Sequence, residues 1–274
     1  MTDLESRVRG WWDAREGLGP DSLEARRDVE RVIADLDDGR LRVAEVDAGG
    51  EVVVHEWVRL AILLAFRTSG LSVGEVGPFE YHDRLALKHD YARRGVRVVP
   101  GASARRGAYL APGVVLMPSY VNIGAYVGAN TLVDTWATVG SCAQVGANVH
   151  LSGGVGVGGV LEPPNAVPVV IEDDAFVGSR SMVVEGARVG RGAVLGAGTI
   201  LTSSTLVVDA QSGEELERGR VPDFAVAVGA SRKRKFKGGE FFLPCVLVLR
   251  RLVEGERHDK AALNSILRDH GVAT

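Results

Sequence analysis

Six-residue spacing of aliphatic side chains rules out most folds for this chain. Anchors recur at Val115, Val121, Val127, Val133, Val139, Val145, Leu151 and Val157, and again at Ile171, Val177, Val183, Val189, Leu195, Leu201 and Val207. Counting the anchor as first, the fifth residue of most units is small or β-branched (Ala125, Thr131, Ala137, Ala175, Ser181), and glycine often follows the anchor, as at Gly128, Gly140, Gly146 and Gly158. Neither a helix, at about 3.6 residues per turn, nor an alternating strand has this period. A parallel β-helix does, each hexapeptide supplying one short strand and one corner. Anchors should point inward, the fifth position should fill the remaining core, and the glycine should permit the corner's backbone angles. Three units make one coil, so residues 18 apart should stack about 4.8 Å apart. A Gly-rich β-sandwich would not hold one register for so long.

Two breaks interrupt the period, around LEPPNAVP between Val157 and Ile171 and around DAQSGEELERGR between Val207 and Val221. Long loops in a solenoid tend to lie over a binding surface. Before the repeats, residues 1–95 read as a mostly helical domain. Leu4, Val8, Trp11 and Trp12 share a helix face, and Asp21 with Glu24 reads as a capping pair opening a helix to about Asp37. A hairpin follows over Leu41–Val46 and Glu51–Val54, then a helix from His55 to Arg67 closed by Gly70. The β-helix is assigned to 96–230. A C-terminal cap fills 231–274, with the basic SRKRKFKGG, the apolar FFLPCVLVLRRL and a helix from about Asp259.

Composition excludes several classes. The chain has 35 glycines in 274 residues but only 10 prolines and no triplet repeat, which excludes collagen. Hydrophobic residues make up 46%, too many for a disordered chain. A formal net charge of −3 argues against a nucleic-acid binder. Cys142 and Cys245 form no C-x-x-C pair, so no disulfide framework or zinc site is indicated. The acidic, Trp-containing start does not read as a signal peptide, and no apolar run is long enough to span a membrane. The expected location is the cytoplasm.

Hexapeptide β-helices of left hand are associated, by analogy of fold, with acyl transfer from coenzyme A or acyl carrier protein. The residues are more specific than the fold. The stretch VLMPSYVNIGAYVGANTLVDTWATVGSCAQVGANVHLSGGVGVGGVLEP (115–163), with LRVAEVD, RVVPGAS and VIEDDAFVGSRSMVVEG, resembles the tetrahydrodipicolinate N-succinyltransferase family along essentially the whole chain. The resemblance implies transfer of succinyl from succinyl-CoA, with no permanently bound cofactor and no metal, to the nitrogen of tetrahydrodipicolinate in lysine and diaminopimelate synthesis. It also implies a homotrimer with active sites between adjacent β-helices, an arrangement that suits a flat-faced prism.

That reaction needs cationic anchors for two carboxylates, a general base and donors for the thioester oxyanion. By the resemblance, Asp134 in VDTWATVG is the catalytic and substrate-binding aspartate, and Arg97 in RVVPGAS holds a substrate carboxylate, where a guanidinium's paired donors suit the task. Arg180, two coils above Asp134 by count of units, is a second carboxylate partner. Asn122 and Arg67 are candidates to reach the site from a neighbouring subunit. One position departs from the family pattern: Met182 stands where Arg-Ser-Glu is expected. Either Asp134 suffices, Glu185 substitutes, or the site differs; the working reading is that Asp134 suffices.

His150 in NVHLSGG is the rival base, since other hexapeptide acyltransferases use a histidine, and is otherwise structural or substrate-lining. The run Arg232, Lys233, Arg234, Lys235 and Lys237 is either a contact for CoA phosphates, Lys233 and Lys235 foremost, or a solvated loop. GGVGVGG, including Gly158 and Gly159, is no dinucleotide fingerprint because it stays inside the hexad register; it lets a pantetheine arm approach the backbone. The competing functions are the acetyl-CoA version of the same step, a non-catalytic paralogue, and a hexapeptide carbonic anhydrase, which fails for want of three histidines in the coils.

Overall fold

The computed structural model describes residues 3–253. Its body is a left-handed parallel β-helix whose two-residue strands stack into three faces. Face I carries the inward ladder Val98, Leu116, Val133, Leu151, Val177 and Leu195. Face II carries Ala104, Val121, Val139, Val157, Val183 and Leu201. Face III carries Leu110, Val127, Val145, Ile171, Val189 and Val221. Apart from half-buried Val98, every one of these side chains is buried. The hexad period is therefore a prism with one aliphatic row inside each wall.

The register corrects the sequence reading at two places. Leu116, not Val115, is the inward anchor, so the unit that runs from it to Val121 is five residues long instead of six; Val115 faces outward between Arg97 and Leu132. Val207 is buried but does not continue face III, where Val221 stacks on Val189. The chain leaves the coil after Leu201, and Val207–Asp209 pairs instead with the C-terminal strand Gly239–Arg251. The break around LEPPNAVP falls where expected, since Ile171 still pairs with Val145.

The corners also work differently from the expectation. Backbones with positive φ sit three residues after the anchor, at Asn130, Trp136, Cys142, Asn148, Asp174 and Arg180. Glycine directly after the anchor answers a packing demand instead. A Cβ on Gly140 would run into the backbone of Gly158 and Gly159, and one on Gly128 into Gly146 and Ala147.

The N-terminal part comprises α1 (Asp3–Asp13), α2 (Leu23–Asp37) and α3 (Glu56–Thr68), with an antiparallel pair Ala44–Val46 and Val52–Val54. The cap of α2 is Ser22 rather than Asp21, and no side chain caps it; the Leu23 N–H bonds back to the Asp21 carbonyl, which leaves Asp21 outside the helix. Val8, Val29, Val32, Leu36, Ile62 and Leu64 pack with Ile123 and Cys142, so the helices cover the corner between faces II and III. A buried polar joint completes the seam: Lys88 Nζ meets Asp37 Oδ1 at 2.6 Å, Arg94 meets Oδ2 at 2.7 Å, and the Gly107 N–H donates to Oδ1 at 2.8 Å. The basic run lies on strand Ala225–Phe236, paired antiparallel with Gly239–Arg251 in a long hairpin. The helix expected from Asp259 lies outside the described residues.

Candidate active site

Asp134 directly follows the face I strand Leu132–Val133 and opens the corner towards face II. Its Oδ1 accepts from the Thr135 N–H at 2.7 Å and from Thr135 Oγ1 at 3.2 Å. Oδ2 faces His150 Nε2 at 3.8 Å. His150 is one rung up on the outward ladder Arg97, Val115, Leu132, His150, Phe176, and its ring packs on Phe176 at 5.1 Å. Both side chains are largely but not wholly buried, 22% exposed for the imidazole and 33% for the carboxylate, so a small solute can reach them.

Two cations bracket this carboxylate. Arg97 lies two rungs below Leu132 and Arg180 belongs to the corner two rungs above, each about 10 Å away along the stack at roughly 4.8 Å per rung. Neither guanidinium is in an ion pair among the described residues; the one polar contact of Arg97 is Met117 Sδ at 3.9 Å. Arg180 folds down towards Asp134: its Cδ and Nε occupy the space over Gly154, 2.7 and 2.8 Å from where a Cβ would stand. Met182 does the same over Gly156. Trp136, left-handed in backbone and 71% exposed, completes the corner.

Asn122, Gly158 and Gly159 stand on the other corner, between faces II and III. Asn122 Oδ1 accepts from the Ile123 N–H at 2.9 Å and from Arg105 at 3.3 Å. Gly158 and Gly159 line a cavity of about 800 Å³ with Pro163, Ala166, Arg188 and Arg218, walled by the excursion that follows Gly159. Arg67, on α3, donates to the Arg15 carbonyl and pairs with Glu16 at 3.4 Å, beside a second hollow bounded by Trp12, Phe66 and Leu161. Lys233 pairs with Glu240 at 2.5 Å and borders a third cavity of about 630 Å³ with Thr202, Ser204, Arg218 and Arg234; Lys235 lies opposite Glu240 in the hairpin.

Within one chain the structure thus gathers Asp134, Arg97 and Arg180 on one edge and leaves Asn122, Gly158, Gly159 and Arg67 on another. Sequence reasoning missed Arg59, discussed below, and the use of Gly154 and Gly156 as room for Arg180 and Met182. Counting 18-residue coils plus the eight-residue break would have found the latter. Among the described residues no cluster of three His, Cys, Asp or Glu suits a metal ion, and no helix is long and apolar enough to cross a membrane.

Two family models match, "tetrahydrodipicolinate N-succinyltransferase N-terminal" over residues 3–68 and "hexapeptide repeat of succinyl-transferase" over 168–203. A 2,3,4,5-tetrahydropyridine-2,6-dicarboxylate N-succinyltransferase of Cupriavidus metallidurans is 46% identical over 97% of this chain and 98% of its own. That of Proteus mirabilis is 45% identical over 98% and 99%. A crystal structure from Campylobacter jejuni, bearing the name of a 2,3,4,5-tetrahydropyridine-2-carboxylate N-succinyltransferase, superposes with a TM-score of 0.51 at 17% identity, covering 81% of this chain and 62% of that one, a likeness of fold. Identity of this level over nearly the full length of the relatives places the chain in the tetrahydrodipicolinate N-succinyltransferase family.

Proposed function

We propose that this protein transfers the succinyl group of succinyl-CoA to the nitrogen of tetrahydrodipicolinate, with water opening the ring, to give N-succinyl-2-amino-6-oxopimelate and CoA. The observation that carries this reading is a partly exposed carboxylate, Asp134, between two guanidiniums, Arg97 and Arg180, that form no ion pair among the described residues. A dicarboxylate acceptor spans such a pair, and bidentate pairing orients it. Water first adds across the ring's C=N bond, so that the nitrogen carries a proton, and Asp134 Oδ2 takes that proton as the nitrogen attacks the thioester carbonyl. The C–S bond then breaks, its electron pair leaves with sulfur, and the thiolate is protonated. The bond from nitrogen to the hydrated carbon later breaks, with the hydroxyl proton passing to the amide nitrogen as the oxo group forms. Met182 replaces a carboxylate here, so Asp134 acts as base with His150 beside it.

Asn122, Arg67, Gly158 and Gly159 sit too far round the prism to meet Asp134 in one chain. A homotrimer that sets the face I–II edge of one subunit against the II–III corner of the next joins the two halves. The pantetheine arm then runs past Gly158 and Gly159, and Lys233 and Lys235, with Arg218 near Lys233, hold the CoA phosphates. A cytoplasmic location follows from the donor.

The test is thiol release from succinyl-CoA with 2-aminopimelate as a stable acceptor, and acetyl-CoA in parallel. Acceptor-dependent release with succinyl-CoA is expected. Release with acetyl-CoA alone would move the assignment to the acetyl branch, and release with neither donor from folded protein would point to a non-catalytic paralogue.

A further inference from the structure

Arg59 of α3 is wholly buried, yet among the described residues no carboxylate neutralises it. One of its terminal nitrogens, Nη1, meets three backbone carbonyls of the excursion after Gly159: Pro163 at 3.2 Å, Pro164 at 2.8 Å and Ala166 at 2.6 Å. Among the described residues its other two nitrogens, Nε and Nη2, meet no oxygen acceptor, and the guanidinium's other polar neighbour is the buried Cys142 thiol, which interacts with it. A buried, unpaired cation is costly, and an apolar side chain of equal size would pack at lower cost. Fold stability alone therefore accounts poorly for it.

What the guanidinium does is gather the carbonyls of a segment that has no strand or helix of its own. That segment, through Val160, Glu162, Pro163, Ala166 and Val167, forms the wall of the cavity whose floor is Gly158 and Gly159. We propose that Arg59 is a positioning residue for acyl-CoA: it sets the wall of the pantetheine channel and so governs donor binding without touching the reacting atoms. This rests on the assignment of that cavity to CoA made above.

The variants are R59M, which keeps volume and removes the charge, and R59K, which keeps three donors on a shorter reach. Steady-state thiol release gives kcat and both KM values, and calorimetry with CoA alone gives Kd. For R59M, KM for succinyl-CoA and Kd for CoA should rise together by about 10- to 100-fold, the range for losing hydrogen bonds to a charged donor. Meanwhile kcat and KM for the acceptor should stay within about three-fold. R59K should recover most of the affinity, and it carries the test if R59M does not fold. A fall in kcat with unchanged donor KM would reduce Arg59 to a structural residue and overturn the proposal, as would unchanged constants throughout. Wild-type protein that binds CoA without turning over, while R59M loses the binding, would sink the succinyl-transfer reading and leave the role of Arg59 standing.

Discussion

Asp134→Asn separates chemistry from folding at the proposed base. The local turn depends on Oδ1, which accepts from the Thr135 N–H and hydroxyl. An asparagine in the same rotamer keeps that oxygen and those bonds. Only the oxygen facing His150 becomes an amide nitrogen, 3.8 Å from a ring nitrogen in the parent geometry. Stability should therefore change by no more than about 0.5 kcal/mol, a melting shift within ~2 °C. Catalysis loses its proton acceptor. A positioned general base contributes about 10²- to 10⁴-fold, or roughly 3–6 kcal/mol of barrier at ~1.4 kcal/mol per decade. Thiol release at saturating succinyl-CoA and 2-aminopimelate should fall by that factor, whereas His150→Asn should cost about ten-fold or less. A D134N enzyme within about five-fold of wild type, with H150N the crippled one, would refute the reasoning and make the imidazole the base.

Arg97→Met and Arg180→Met should each raise KM for the acceptor by about 10- to 100-fold and leave donor KM alone, since each removes one charged carboxylate partner; acceptor titrations decide. Met182→Glu should leave kcat within about three-fold, because its side chain lies over Gly156 rather than against Asp134; a gain of orders of magnitude would show that Asp134 does not suffice. Asp37→Ala should destabilise by about 3–5 kcal/mol in urea titrations, because Lys88 is left buried at 1% exposure without its counter-ion. Burial pushes the Cys142 thiol up to about 11 from an ordinary 9.0, Arg59 opposing only in part. The folded state thus holds this proton more tightly than the unfolded one, so the contribution is complete below pH 9 and is lost as pH rises towards 11. The loss is about 3 kcal/mol at ~1.4 kcal/mol per unit. Unfolding midpoints should fall between pH 9 and 11 in wild type and flatten in C142A.

The prism is legible in the sequence because an inward row every six residues leaves one solution, and the same counting puts Arg180 two coils from Asp134. Counting failed where pairing partners outside the repeat decided the outcome. Val207 keeps the aliphatic pattern, but the Gly239–Arg251 strand offers it a parallel ladder and draws the chain off face III. Val115 looked like an anchor because Leu116 beside it is equally apolar, and only the short unit to Val121 shows which one faces in. The Asp21 cap failed for a local reason, a backbone bond from Leu23 that competes with the expected box. Arg59 gave no signal at all: an arginine in an apolar helix reads as an interruption, and its partners are carbonyls more than 100 residues away.

Residues of the proposed chemistry lie where the hexad rule is broken or left slack. Most anchors of the inner rows are followed by a glycine or another short residue packed close to the next coil, but Val133 is followed by Asp134, whose carboxylate bonds back to Thr135 and projects to the edge. Three residues past the anchor the backbone is left-handed, a conformation that disfavours bulky side chains; Trp136 and Arg180 hold it all the same, one coil either side of Gly154. Glycine between them is what allows Arg180 to lie down towards the carboxylate instead of standing into solvent, since a Cβ at 154 would collide with its Cδ and Nε. Gly156 gives Met182 the same freedom on face II. The glycine-rich GGVGVGG segment thus shapes the edge beside Asp134 at 154, the adjoining wall of face II at 156, and the neighbouring corner, the proposed donor side, at 158 and 159. On the proposed reading a single coil, by leaving out side chains, makes room for both halves of the reaction on opposite sides of one face.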